Sequence, residues 1–219
     1  MDGRLVGIKA VITGGAGAIG LATAKIFGRE GATVFIADYN NLALSSALKL
    51  LKSEGIPASG IQADVTSPHE VSTMMDTAAE NMGGISTLIN NAGTSSPGYL
   101  VDHTREDIDR VLDVNTKGVI FCTQSAIPYL QDSQNASITS TSSQAGKRGW
   151  DQNSVYSASK AAVIGFSRAM AVELAPNIRV NSIAPGHIKD EGMAWACLLY
   201  TSDAADEGLG VDLGGRRII

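Results

Sequence analysis

Short apolar runs at 8–14, 33–38, 58–64, 86–93, 136–143 and 177–185 alternate with longer amphipathic stretches at about 18–30, 41–54, 68–82, 104–130 and 154–175. The runs are rich in β-branched residues and bounded by glycine, proline and asparagine, which predicts strands; the stretches repeat apolar positions at helical spacing, which predicts helices. In the runs at 8–14, 33–38 and 86–93 apolar residues stand next to one another, and with the β-branched character of the set the strands are expected to be covered on both faces. Such strands belong to parallel sheets. Regular strand–helix alternation therefore predicts an α/β, Rossmann-like doubly wound sheet of six strands in the order 3-2-1-4-5-6.

Composition narrows the picture. A chain of 219 residues with 44% hydrophobic and 18% charged content can bury one substantial core, and no repeat or low-complexity linker divides it before about residue 196. The expected organisation is one domain over 1–196. A net charge of −5 with scattered lysines and arginines offers no nucleic-acid footprint. No run reaches the length of a membrane span and the start "MDGRLVGIKAVITGG" lacks a signal-peptide pattern, so a soluble, cytoplasmic protein is expected. Cys122 and Cys197 have no ligand spacing, so neither a disulfide nor a metal site is expected. His69, His103 and His187 have no such spacing either, and the first two read as solvated surface residues.

The first chemistry lies in "TGGAGAIG", Thr13–Gly20, between the first strand and the first helix. Read from Gly15 it is G-x-G-x-x-G; read from Thr13 it is T-G-x-x-x-x-x-G. In either reading, backbone N–H groups and the helix dipole can hold a pyrophosphate there. Asp38 closes the second strand, where a carboxylate can accept hydrogen bonds from the adenosine ribose hydroxyls and repel a 2′-phosphate. Neither Ala16 nor Gly17 supplies a compensating cation, so NAD is expected over NADP.

In "YSASK", Tyr156 and Lys160 stand four residues apart on a predicted helix, about 40° around its axis. A phenol with pKa near 10 is a poor acid–base group at neutral pH. Lowering it by about three units needs roughly 4 kcal/mol, which a close lysine and a positive nicotinamide ring could supply together. Ser143 ends the fifth strand, "NNAG" (90–93) ends the fourth, and "VNTKG" brings Asn115 to the middle of a helix.

With these five motifs in order, the stretch from about Lys9 to Gly186 resembles the short-chain dehydrogenase/reductase family, which makes T-G-x-x-x-x-x-G the relevant glycine pattern. The resemblance implies that Tyr156 exchanges a proton with the substrate oxygen, that Ser143 orients the carbonyl, and that Lys160 holds the nicotinamide ribose and depresses the tyrosine. It implies that Asn115 anchors a water linking Lys160 to solvent. It assigns Gly14, Gly17, Ala18, Ile19 and Gly20 to the phosphates, Asp38 and Tyr39 to the ribose end, and Asp64 and Val65 to adenine. Asn91, Ala92 and Gly93 form the cofactor-facing turn, and Pro185, Gly186 and Ile188 lie along the nicotinamide. Thr94–Ser96 and Trp150–Asn153 would line the substrate side. The family's full-length members imply a homodimer or homotetramer.

Two departures stand out. Ala18 replaces the loop's usual second glycine, and Asp190 stands where the family carries a small hydroxyl residue. After Ala196 the resemblance ends without the family's covering segment and seventh strand. "CLLYTSDAADEGLGVDLGGRRII", 197–219, resembles translated sequencing-adapter DNA and is expected to be non-native. That tail holds four acids and two arginines, a net −2, so −3 of the chain's −5 belongs to 1–196. The expected activity is hydride transfer between NAD(H) and a secondary alcohol or ketone. An inactive truncated fragment, or a non-catalytic NAD-binding module, is the alternative; an epimerase of the extended branch fits the loop and the serine–tyrosine spacing less well.

Overall fold

The computed structural model describes residues 3–186 and 188. Six parallel strands form one sheet: β1 (Lys9–Thr13), β2 (Thr33–Asp38), β3 (Ala58–Gln62), β4 (Thr87–Asn90), β5 (Ser137–Thr141) and β6 (Arg179–Ile183). Their order is β3-β2-β1-β4-β5-β6. The helices are α1 (Ala18–Arg29), α2 (Asn41–Ser53), α3 (Pro68–Met82), α4 (Arg105–Leu112), α5 (Gly118–Gln131) and α6 (Ser154–Glu173). This is the doubly wound α/β architecture expected from the strand–helix alternation.

Successive side chains of a strand leave opposite faces, and here both faces are buried. Val11 and Phe35, paired in register, lie with Leu88 and Ile138 under Met74, Met75, Cys122 and Leu130 of α3 and α5. Their neighbours Ile12, Val34 and Ile36 face the other way, under Ala24 of α1 and Leu44 and Leu51 of α2. Each such fully buried aliphatic or aromatic side chain contributes about 1.5–3 kcal/mol. The edge strands differ from the expectation of two buried faces: β3 is only partly buried along its length, and β6 alternates between exposed and covered positions. Among the described residues each of these strands has a neighbour on one side only, and so less to hide behind.

Local signals set the helix starts. Asn40 Oδ1 accepts the N–H groups of Leu42 and Ala43 at α2, and Ser67 caps α3 ahead of Pro68. Thr104 and Asp107 form a reciprocal capping box at α4. By contrast, α1 begins at Gly17 with no side-chain cap and no acid in its first turn.

The stretch expected as one helix over 104–130 is not a single α-helix. Asp113–Lys117 forms a π-turn between α4 and α5. One wide turn keeps the apolar periodicity almost intact, so the pattern reads through it, while the ladder of backbone hydrogen bonds is locally opened.

The chain divides into a compact unit over Met1–Ala184 and a second over Pro185–Ile219. The second is described only at Pro185, Gly186 and Ile188, which have neither helix nor strand. The expected boundary at 196, the 197–219 tail, His187, Asp190 and the question of a seventh strand lie outside the described residues.

Candidate active site

At the carboxyl end of the sheet the chain leaves β1 toward β2 and β3, then returns to place β4 on the opposite side. The crevice at such a reversal is where open α/β sheets bind ligands. The glycine loop spans its mouth. Gly14 has φ +61°, in the left-handed region, and a Cβ there would lie 2.8 Å from the Ala92 Cα. A Cβ on Gly20 would meet the Gly14 carbonyl oxygen at 2.2 Å, so α1 can approach the loop only with glycine at that position. Gly15, which the family pattern leaves free, is equally constrained: its Cβ would lie 2.5 Å from the Ile36 Cβ. Gly17 is not, with nothing nearer than 3.4 Å. Ala18 and Ile19 open α1 itself, where the uncapped N–H groups remain available to an anion.

The β4 turn is tied to this loop. Thr13 Oγ1 accepts the N–H groups of Asn91 at 3.0 Å and Ala92 at 3.1 Å, while Asn91 Nδ2 donates to the carbonyls of Thr13 and Gly14 at 3.1 Å each. In the sequence Thr13 was the first position of the T-G-x-x-x-x-x-G pattern, with no contact assigned to its side chain.

Asp38 is buried, and its carboxylate accepts the N–H of Ala16 at 3.1 Å and of Asn40 at 3.0 Å. These bonds aim the carboxylate from β2 toward the glycine loop. Tyr39 beside it is 74% exposed. Asp64 folds its Oδ1 onto the N–H and hydroxyl of Thr66 at 2.8 Å each, and Val65 is buried against Gly118 of α5, where a Cβ would lie 2.7 Å from its Cγ2.

Asn115 lies in the π-turn and is completely buried. Its Oδ1 accepts the Thr94 N–H at 2.8 Å; its Nδ2 donates to the Thr94 carbonyl and to Ser159 Oγ at 2.9 Å each. Lys160, one residue on, is buried with its Nζ donating to the Thr141 carbonyl at 2.9 Å. The two meet at Gly93: a Cβ there would lie 3.2 Å from Lys160 Nζ and 3.3 Å from Asn115 Oδ1. The start of α6 is pinned to β5 by Ser142, whose hydroxyl donates to the Lys160 carbonyl at 2.7 Å, and by Gly146, whose missing Cβ admits the same carbonyl carbon at 2.7 Å. Thr141, Ser142 and Ser159 are the supporting residues that sequence reasoning missed. Small polar residues at strand ends are too common to single out.

Tyr156 sits one turn before Lys160, the ammonium lying 5.8 Å from the phenol ring centroid. Burial pushes the Tyr156 phenol above its ordinary range, and the hydrogen bond with Ser143 only partly opposes it. Burial also holds the Lys160 ammonium down to about 8. The expected depression of the tyrosine by its lysine is therefore corrected for the protein alone. In a dry pocket, desolvation of the phenolate outweighs a lysine that is itself disfavoured as a cation. Ser143 also accepts the Ala145 N–H at 3.1 Å. Elsewhere, Cys122 is buried and its thiol pushed up to about 12, which removes it as a nucleophile.

The residues Thr94–Ser96 and Trp150–Asn153 border this cluster on two loops, which meet where the Gly98 N–H donates to the Gln152 carbonyl at 2.9 Å. Arg148 lies over the Trp150 ring at 4.6 Å. Pro185, Gly186 and Ile188 belong to the second unit.

The family model described as short chain dehydrogenase matches residues 9–196. Among curated proteins, the chain is similar to the 3-oxoacyl-[acyl-carrier-protein] reductase FabG of Thermotoga maritima, 40% identical over 189 residues that span 85% of this chain and 76% of that protein. Among solved structures it is similar to NAD+-bound xylitol dehydrogenase, with a TM-score of 0.86 and 31% identity over 92% of this chain and 78% of the other. A short chain dehydrogenase from Burkholderia cenocepacia in complex with NADP gives 0.81 and 37% identity over 88% and 82%. The similar proteins thus include both NAD and NADP complexes.

Proposed function

The chain belongs to the short chain dehydrogenase family, and from that premise we propose that it transfers hydride between NAD(H) and a secondary alcohol or ketone, with Tyr156 as general acid–base. The observation that carries the reading is that Lys160 and Asn115 meet beside Gly93 at the carboxyl end of the sheet, with Tyr156 one turn before Lys160 and hydrogen-bonded to Ser143.

The residues fit a dinucleotide. Gly14, Gly17, Ala18, Ile19 and Gly20 would surround the pyrophosphate, since a cradle that Cβ atoms would fill leads to free backbone N–H groups. Asp38 and Tyr39 would take the ribose end, Asp64 and Val65 the adenine, and Asn91, Ala92 and Gly93 the inner face. The bound cofactor supplies the hydride acceptor and a positive ring. Asp38 supports NAD as the preferred form, because its oxygens are fixed by two backbone N–H groups and a 2′-phosphate would meet that charge directly.

On oxidation, the Tyr156 oxygen takes the hydroxyl proton while the carbon-bound hydrogen leaves as hydride. Ser143 donates a hydrogen bond to the same substrate oxygen. With its pKa held to about 8, Lys160 stays charged at neutral pH yet releases a proton readily, so it can relay one between Tyr156 and the Asn115 region. Burial alone disfavours the Tyr156 phenolate, and a positive ring held beside it would offset that. The remaining features of the reading are a small-molecule partner and a homodimer or homotetramer, both from the resemblance; among the described residues no helix is long and apolar enough to cross a membrane.

The test is a panel of secondary alcohols with NAD, followed by formation of reduced nicotinamide, alongside calorimetric titration of NAD. Turnover with any member supports the reading. Binding without turnover selects the non-catalytic alternative, and no binding of either NAD or NADP overturns both.

A further inference from the structure

A neutral imidazole has one N–H donor and one acceptor nitrogen, whereas a carbonyl oxygen only accepts. His103 places both ring nitrogens against carbonyls: Nε2 is 2.8 Å from the Ser96 oxygen and Nδ1 is 3.0 Å from the Tyr99 oxygen. Only the imidazolium can donate to both. The ring thereby draws together the two ends of the loop that leaves the NNAG turn. It also lies against Gly98, where a Cβ would come within 3.3 Å of its Cε1. The Gly98 N–H in turn donates to the Gln152 carbonyl at 2.9 Å, across to the loop that leads into Tyr156. Gln152 holds a left-handed φ of +56°, a conformation that a non-glycine residue keeps only when its surroundings impose it.

The rest of the loop is fastened independently of the histidine. Asn115 holds the Thr94 backbone, Ser96 Oγ donates to Asp107 Oδ1 at 3.3 Å, and Arg110 donates to Thr94 Oγ1 at 2.8 Å and to Asp107 at 3.4 Å. The stretch 97–103 has His103 as its clasp.

We propose that His103, as imidazolium, is a positioning residue that closes the substrate-side wall formed by 94–98 and 150–153, and that its deprotonation releases this wall. The proposal rests on the dehydrogenase reading for what the wall faces. The charges around the ring agree with it. The Ser96 and Tyr99 carbonyls, then Asp107 of α4 and Asp102 of the preceding turn (Leu100–Asp102), hold the imidazolium above its ordinary range, against slight burial. Arg110 is engaged by Asp107. On the facing loop Arg148 is held over Trp150, and Asp151 Oδ2 accepts the Gln152 side-chain amide at 3.1 Å. For a folded pKa above the unfolded one, the clasp is complete below about pH 6.5 and is lost as pH rises through the folded value.

The experiment is an NMR titration of the full chain with labelled histidine rings, His103→Gln assigning the ring signal. His103 should titrate above 6.5, and the Gly98 and Gln152 amide signals should move with the same midpoint and stay flat in His103→Gln. With an alcohol that turns over, KM for the alcohol should rise several-fold across that midpoint while kcat and the KM for NAD hold, and His103→Gln should show the high KM at every pH. A ring midpoint at or below 6.5 overturns the proposal, as do loop signals that ignore it in the wild-type chain, where no variant can misfold. Loss of NAD binding with the ring titration unchanged would instead count against the dehydrogenase reading alone.

Discussion

Asn115 grips Thr94 by its whole backbone, accepting the N–H on Oδ1 at 2.8 Å and donating from Nδ2 to the C=O at 2.9 Å. The residue directly after the NNAG turn is thereby set by a side chain in the middle of the π-turn.

Asn115→Ala leaves both groups of Thr94 without that partner in a part-buried setting, which costs about 1–2 kcal/mol for each orphaned group. The variant should lose about 2–4 kcal/mol in urea unfolding with an unchanged slope, and kcat should fall with it. A stability loss below about 0.5 kcal/mol would mean that Thr94 is held by something else.

Tyr156→Phe removes the proton carrier and little else, because the ring remains packed one turn before Lys160. Turnover should drop by orders of magnitude while NAD affinity by calorimetry stays within about threefold. A variant retaining most of its kcat would take Tyr156 out of the mechanism.

Lys160 carries a charge that burial opposes, so the folded chain binds fewer protons than the unfolded one between about pH 8 and the ordinary lysine value near 10.5. Stability should therefore rise with pH across that window, the reverse of the usual decline. Lys160→Met should flatten the rise and, near neutral pH, unfold at a urea concentration at or above that of the wild type although inactive. Denaturant midpoints at pH 7 and 9.5 check both, and a rise that persists in the variant would assign it to another group.

Asp38 should make NAD bind at least tenfold tighter than NADP, about 1.4 kcal/mol. Asp38→Asn keeps the shape and removes the charge, so the two affinities should come within about threefold. Equal affinities in the wild type by calorimetry would end the argument from Asp38.

Gly20→Ala and Gly17→Ala form a matched pair. The first drives a methyl to 2.2 Å from the Gly14 carbonyl oxygen and should cost about 1–3 kcal/mol and most of the cofactor affinity. The second meets nothing nearer than 3.4 Å and should leave stability nearly unchanged. Similar thermal shifts for the two would show that the loop yields more easily than its packing implies.

Periodicity and local chemistry alone determined the six strands, the helix starts at Asn40, Ser67 and Thr104, and the glycine loop, because each depends on residues within a few positions of one another. The same holds for Tyr156 and Lys160, which a helix places on one side whatever else surrounds it. Strand order followed too, since right-handed crossovers leave few ways to wind such a chain. What needed the tertiary structure was every partner brought from far along the chain. Thr141 takes the Lys160 ammonium, Thr13 takes the β4 turn, and Asp38 takes the Ala16 N–H. The π-turn was hidden because one extra residue per turn barely shifts an apolar pattern. The tyrosine's raised pKa and the double grip of His103 escaped for a related reason: desolvation and carbonyl geometry exist only once the chain has closed around them, and no spacing of residue types encodes their balance.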